Sequence, residues 1–473
     1  MTWNARAREE LLRSAMKALE DGDTELARKL MGEARSIGNG RRALRRILAN
    51  KRLHVLVVVA LAFLLRFILA TAWLLDTDEA GAYSPAALSY LKGDWVANPG
   101  HPMVVKLLFA GSISLFGRGG KVASLFPELY DSVGALRLVS VIAGATTCLV
   151  IYYLVKEITE KHVIAIIPSI LLAFDPISMG ESSYGILDPG MTLFYMASIL
   201  FFYRYVKGRG GWNFYLSAVM FGLAVASKYF AFIAIFIFIG ILLWRKRLRA
   251  EWKSMVAFLL IATIVFFAVQ PFLWSSPFAR LSLSLENNRE HLGRGQKVKI
   301  VGNPFLIRIN PVLAAKPDFF ATNDQAAQSP WYYLLYIQAM YSTPFEILVY
   351  PFAKYKISKS VLRRRTNDLI VLGTLLVLTP TFFFAYVSVR LPQYTILSST
   401  SSTVLGAVAF SKFDSKKGKY FLVLLLVLHV GWTLATLLTS GDHFSGWEFY
   451  QTPLTPYIAD FFHWLWTSGF NIQ

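Results

Sequence analysis

The sequence predicts an all-α integral membrane fold of about 11 transmembrane helices, with large loops after the first and seventh spans. Three observations predict it. Apolar runs approaching the ~20 residues that cross a bilayer recur along the chain. Apolar residues make up 55% and charged residues only 16%, a balance suited to a surface that faces lipid. Lys and Arg collect in alternate connections, as the positive-inside rule requires.

The chain opens with a basic segment, 1–53, in which Leu11, Leu12, Ala15, Met16 and Leu19 share a helical face and Asp21-Gly22-Asp23 marks a turn. It has no apolar stretch with a small-residue cleavage site, so it reads as a cytoplasmic helical segment rather than a signal peptide. Apolar runs follow at 54–75, 134–155, 161–174, 187–205, 212–227, 229–244, 254–273, 332–352, 367–388, 393–410 and 419–438. With the N-terminus in the cytoplasm and the chain alternating, cytoplasmic segments hold 33 of the 48 Lys and Arg and outer segments 13. The net charge of +19 is thereby explained by topology in a multi-pass plasma-membrane protein, and no nucleic-acid partner is expected. Cys148, the single cysteine, allows no internal disulfide and no Cys/His zinc pattern. The membrane region is 54–438, its large outer loops are 76–133 and 274–331, and the aromatic tail 439–473 is expected outside, at the interface.

The acids that stand out lie on the outer side. Asp76-Thr77-Asp78-Glu79 directly follows the first span. Carboxylates packed this closely repel one another unless a cation or hydrogen bonds compensate. The group suits a general base, a ligand for a divalent cation such as Mg2+ or Mn2+, or a solvated helix end. The loop continues through aromatics to His101-Pro102 and Lys106, within an apolar 103–117 segment that resembles a re-entrant or membrane-surface helix. His101 can be a base, a ligand or part of a structural turn. Asp188 opens an apolar run, where a carboxylate is costly unless it faces the bundle interior or caps the helix. Lys228 and Arg137, near outer ends of spans, can snorkel to headgroups or hold a phosphate, and Arg137 can instead pair with an acid. For the deeper Arg66, Glu346 is one conceivable partner.

Taken in order, these residues resemble a known family. Asp78-Glu79, Tyr83, Leu91-Lys92-Gly93-Asp94-Trp95, His101-Pro102 and Lys106 are similar to the first outer loop of protein O-mannosyltransferase-like enzymes of the GT-C superfamily. Arg137-Leu138-Val139-Ser140, Leu187-Asp188-Pro189, Ser227-Lys228, His291-Leu292-Gly293, Pro330-Trp331-Tyr332-Tyr333 and Thr343-Pro344 follow in the family's order. The chain departs from the family at Met103, where a second Pro is usual, at Ser183-Tyr184-Gly185, where an Arg is usual, and at Thr343, where a Lys is usual.

The resemblance implies a GT-C transmembrane catalytic domain. It would move a sugar, mannose or another hexose, from a polyprenyl- or dolichyl-phosphate donor to a protein or lipid hydroxyl at the extracytoplasmic face, with inversion. It implies Asp78 as the first choice for general base, Glu79 to bind a cation or orient the sugar, and Asp188 in support. Lys228, Arg137 and His291 would hold the donor phosphate, with His101 and Lys106 beside them, and 274–331 would close as a lid. Two other classes compete: a transporter or flippase of a polyprenyl-linked lipid, and a non-catalytic subunit that kept the fold. The chain shows no internal repeat of the kind common in transporters.

Overall fold

The computed structural model describes residues 3–21, 23–26, 28–32, 50–72, 78–117, 132–293, 343–363, 366–386, 395–412 and 415–439. The described regular structure is helical throughout. Among the described residues, three helices, Lys51–Thr71, Ser132–Thr159 and Leu248–Ala268, are long and apolar enough to cross a membrane. The chain divides into two compact units, Met1–Val57 and Val58–Gln473. In the first, α1 (Trp3–Glu20) buries Ala15 and Ala18, while Met16 is 61% exposed. The buried stripe is thus narrower than the face read from sequence. Asp23 accepts the Leu26 N–H at 3.0 Å and starts a second short helical stretch.

The second unit holds the membrane helices. The first is the remainder of α2 (Lys51–Ala72). Two short elements come next among the described residues, a π-turn at Glu79–Tyr83 and α3 (Ser84–Leu91). Next comes α4 (Val104–Phe116), the helix expected at 103–117. Then α5 (Ser132–Thr159), α6 (His162–Ala173), α7 (Pro176–Glu181) and α8 (Leu187–Val206) run in sequence. They are followed by α9 (Trp212–Val225), a 3-10 turn at Tyr229–Ile233, α10 (Ala234–Trp244) and α11 (Leu248–Ala268). The second large loop opens with α12 (Pro271–Trp274) and α13 (Pro277–Gly293). The chain resumes with α14 (Pro344–Leu362), α15 (Asp368–Tyr386), α16 (Thr395–Ser402), α17 (Val404–Lys412) and α18 (Lys416–Thr439).

Three boundaries differ from the apolar runs, each for a local reason. The run 254–273 breaks after Ala268, because Pro271 lacks an N–H and steers the residue before it out of the helix. The run 393–410 divides at Thr403, whose hydroxyl bonds the Thr400 carbonyl at 2.7 Å and competes with the helical ladder. The run 332–352 extends further than its apolar end: the described helix starts at Pro344, fixed by a capping box in which Thr343 and Glu346 bond each other's backbone N–H, and continues to Leu362. Residues 332–342, 294–331 and the tail 440–473 lie outside the described residues.

α8 is buried along most of its length. Phe202 on α8, Phe221 on α9, Phe238 on α10 and Phe258 on α11 form one ring cluster, with centroids 4.6 Å apart for Phe202–Phe238 and 5.2 Å for Phe238–Phe258. Each such pair adds roughly 0.5–1.5 kcal/mol beyond area burial. At the nearby helix ends, Asp368 accepts from Tyr203 at 2.6 Å and Trp244 at 3.0 Å and pairs with Arg245, while Glu157 pairs with Arg204 at 3.1 Å. This end of the bundle is tied by polar bonds between helices. The opposite end, where α5 begins and α6 and α9 finish, carries the acids.

Arg66 explains how a charge is held inside. Its Nη1 donates to the carbonyls of Ala62 and Ala173, both at 3.1 Å, and its Nη2 to the Leu172 carbonyl and the Ser178 hydroxyl, both at 3.0 Å. Leu172 and Ala173 are the last residues of α6, so the guanidinium also meets the negative end of that helix dipole. Gly144 makes the room: a Cβ there would lie 2.6 Å from Ser182 Cβ and 2.9 Å from Arg66 Nε.

Candidate functional site

The first loop folds back as an apolar layer on the helix ends. Tyr83, Ala87, Tyr90, Met103, Phe109 and Ile113 pack with Leu136, Leu187 and Phe272 in one buried cluster. The Val104 N–H donates to the Ala226 carbonyl at 3.0 Å, so α4 is pinned to the turn between α9 and α10. Burial of these side chains sets the depth at which the acids sit, because each fully buried apolar side chain is worth about 1.5–3 kcal/mol.

Glu79 is fully buried and closed by partners. Arg137 donates from Nε to Oε1 at 2.9 Å and from Nη2 to Oε2 at 2.7 Å, a two-pronged ion pair. The Gly185 N–H also donates to Oε1. A side chain at Gly185 would press on Leu136, its Cβ 2.6 Å from Leu136 Cβ, so glycine is what lets this backbone reach Glu79. The Arg137 Nη1 donates to the Ala70 carbonyl at 2.7 Å, and its guanidinium lies 5.6 Å from the centre of the Tyr184 ring. Arg137 therefore adopts the pairing with an acid left open by the sequence. A cation bridging Asp78 and Glu79 would have to displace it. Among the described residues, no three of His, Cys, Asp and Glu gather as a metal-binding group.

The second pair is Asp188 with Lys228. The Lys228 Nζ donates to Oδ1 at 2.8 Å and Oδ2 at 2.7 Å, with both residues buried. Asp188 stands in the first turn of α8, and the helix begins after Ile186, so its carboxylate serves the ion pair rather than a side-chain cap. Lys228 is held extended, at φ −149° and ψ 132°, between α9 and the 3-10 turn, which turns its side chain back into the bundle. Gly190, two residues on from Asp188, gives α4 its close approach: a Cβ there would lie 2.7 Å from Val105 Cγ2.

Asp78 differs from both neighbours. It is only partly buried, and it lies near enough to Asp188 for the two charges to act on each other. The structure thus brings Asp78, Glu79, Arg137, Asp188 and Lys228 to one end of the bundle.

The remaining candidates take different places. Lys106 is fully buried on the loop helix α4 and donates to the carbonyls of Asn98 and His101, both at 2.7 Å. Burial pushes its ammonium down to about 7. His101 packs its ring edge-on to Tyr83, with centroids 6.2 Å apart, within the turn that Lys106 holds. His291 falls in the last turn of α13, and its side chain lies outside the described residues. The same holds for Asp76 and for the lid residues Arg294 and Lys297. α13 itself is fastened to the site: the Tyr229 hydroxyl bonds the Ser284 hydroxyl, which donates to the Pro99 carbonyl.

Sequence reasoning missed how the buried carboxylate Asp175 is held. Asp175 takes the Ser178 N–H at 2.6 Å and the Ser399 hydroxyl at 2.7 Å. The available signal was the hydroxyl-rich stretch Thr395–Thr403 inside an otherwise apolar region.

Comparison with known proteins bears on the fold. Residues 100–274 match the family model described as dolichyl-phosphate-mannose-protein mannosyltransferase. No curated protein matches the sequence. Among solved structures, the chain is similar to ArnT from Cupriavidus metallidurans bound to undecaprenyl phosphate, at 14% identity and a TM-score of 0.50, covering 86% of this chain and 75% of that one. It is also similar to ArnT from the same organism in the apo state, at 15% identity and a TM-score of 0.52, covering 82% of this chain and 65% of that one.

Proposed function

We propose that this chain, which has the GT-C membrane glycosyltransferase fold, moves a sugar from a polyprenyl-phosphate donor to an acceptor hydroxyl at the extracytoplasmic face. The observation that carries the reading is the contrast among three neighbouring acids. Glu79 and Asp188 are buried against cations, whereas Asp78 beside them is only partly buried. A general base must reach the proton it takes, and of the three Asp78 is the one that is not fully buried.

In this reading Asp78 removes the proton of the acceptor hydroxyl as its oxygen attacks the sugar carbon bound to phosphate. The C–O bond to phosphate breaks on the opposite face, polyprenyl phosphate leaves, and the configuration inverts. Charge grows on the departing phosphate. Lys228 has three N–H donors and can share them between Asp188 and a phosphate oxygen, so the buried cation stabilises that charge. Glu79, held by Arg137 and the Gly185 N–H, fixes the backbone that presents Asp78. The Pro99–His101 turn and α13, joined through Ser284, form the wall against which the donor would lie. Mannose as the sugar and a protein hydroxyl as the acceptor are the choices favoured by the description of the matching family. The outer location rests on the Lys and Arg excess of the opposite side.

The face and the reaction are tested together in sealed vesicles of known sidedness. A water-soluble acceptor peptide added outside right-side-out vesicles preloaded with polyprenyl-phosphate sugar is expected to be glycosylated. Transfer only in inverted vesicles would contradict the assignment of the face.

A further inference from the structure

Arg66 and Ala70 stand one helical turn apart on α2, and through them α2 holds both scaffolds of the candidate site. The Ala70 carbonyl belongs to the last turn of α2, where carbonyls need donors from outside the helix. It accepts from Arg137 Nη1 at 2.7 Å, and the same guanidinium grips Glu79. Arg66 takes the other scaffold. Its four Nη hydrogens are all engaged, Nη1 with the carbonyls of Ala62 and Ala173 and Nη2 with the Leu172 carbonyl and the Ser178 hydroxyl. The Ser183 hydroxyl returns to α2, sharing its proton between the Arg66 carbonyl at 3.1 Å and the Met179 carbonyl at 2.7 Å. The end of α6, the middle of α7 and the turn that follows are thus bonded to a single residue of α2.

We infer that Arg66 is a positioning residue for the candidate site: through the segment 172–183 it sets where the Gly185 N–H and the Asp188 carboxylate come to lie. Gly185 follows Ser183 by two residues and Asp188 follows it by five. Chains that short span at most roughly 7 and 18 Å, so little slack separates the anchor from the site. Further bonds reduce it. The Ser183 N–H donates to the Gly180 carbonyl at 2.9 Å, the Ile186 N–H to the Tyr184 carbonyl at 2.9 Å, and the Ser140 hydroxyl to the Ile186 carbonyl at 3.2 Å. A shift of the Arg66 guanidinium therefore moves the Gly185 N–H on Glu79 and then the Asp188 carboxylate on Lys228. Close packing leaves no easy alternative. Arg66, Ser182 and Ser183 are fully buried, and α5 presses on Ser182 and Arg66 at Gly144.

The fork of the guanidinium is what the role requires. Nη1 and Nη2 lie in one rigid plane, so the end of α6 and the middle of α7 are held at fixed places relative to α2 and to each other. Ser178 extends the reach. Its hydroxyl accepts from Arg66, while its N–H donates at 2.6 Å to Asp175, the residue that caps α7. A lysine ammonium has three donors on a single point and cannot occupy both Nη positions. Among the described residues, Arg66 bonds neither Glu79 nor Asp188, and it acts on them through the segment between.

Arg66→Lys keeps the charge and removes the fork. In nanodiscs, amide hydrogen exchange of the peptide spanning 179–188 is expected to rise about 10-fold in Arg66→Lys, while the lower half of α8, 195–206, exchanges as in the wild type. In sugar transfer, kcat is expected to fall by about 10- to 100-fold with the donor KM within about threefold, the mark of misplaced groups at a reacting centre. The kcat readout rests on the proposed function and the exchange readout does not, so a wild type that transfers no sugar fails that function and leaves exchange to decide. Unchanged exchange at 179–188, a uniform rise along α5 and α8, or wild-type kcat in Arg66→Lys beside an active wild type would each overturn the inference. If Arg66→Lys does not fold, Ser183→Ala serves instead. It deletes the hydroxyl that returns to Arg66, and exchange at 179–188 is expected to rise about threefold with 195–206 unchanged. No local rise in Ser183→Ala would likewise overturn the inference.

Discussion

Asp78→Asn is expected to lower sugar transfer by about 10²- to 10⁴-fold, the usual contribution of a general base, while leaving expression and thermal unfolding unchanged. The substitution removes the ability to take a proton and keeps the size of the side chain. Asp78 is partly exposed, and Asp188, whose charge acts on it, is an acid. Loss of the Asp78 charge therefore relieves that repulsion. A drop in rate without loss of fold separates a base from a boundary marker. Transfer at the wild-type rate in Asp78→Asn, measured with labelled polyprenyl-phosphate sugar, would remove Asp78 from the mechanism.

The second large effect belongs to Lys228. Lys228→Met is expected to destabilise the protein by about 3–5 kcal/mol, because it strands the Asp188 carboxylate where water cannot reach it. Asp188→Asn with Lys228→Met should recover most of that loss, since removing both charges leaves no unmatched ion. The double variant should remain inactive in transfer, because the cation proposed to meet the phosphate is gone. Thermal unfolding of the two single variants and the double variant measures the coupling as a cycle. Additive losses would mean that the 2.7 Å pair contributes nothing to stability.

Much of this arrangement was legible in the sequence, and the reason differs from part to part. The helices announced themselves because lipid-facing and bundle-facing side chains are both apolar, so long apolar runs persist. Their ends were less clear. Gln270-Pro271 and the hydroxyls around Thr403 interrupt helices inside runs that hydropathy alone reads as continuous. The acids of the site were visible as single residues because a carboxylate beside an apolar run is costly and conspicuous. Their partners were not. Glu79 finds Arg137 58 residues away, and Asp188 finds Lys228 40 residues away. Such pairings depend on how helices cross, which no local pattern encodes. Lys106 shows the opposite case: it read as a cation awaiting a phosphate, and the fold spends it on two carbonyls of its own loop. For Arg66, Glu346 was one conceivable partner. The structure gives its guanidinium three carbonyls and the Ser178 hydroxyl.

The central claim is that the acids at this end of the bundle break the bond between a sugar and a lipid phosphate. It is tested most directly in proteoliposomes holding the purified chain, a polyprenyl-phosphate hexose labelled in both sugar and lipid, and an acceptor with a free hydroxyl. Mass spectrometry is expected to find the acceptor heavier by one hexose residue and an equal amount of polyprenyl phosphate without its sugar. Donor recovered intact on the other side of the bilayer, with no sugar on any acceptor, would contradict the account and make the chain a carrier of the lipid.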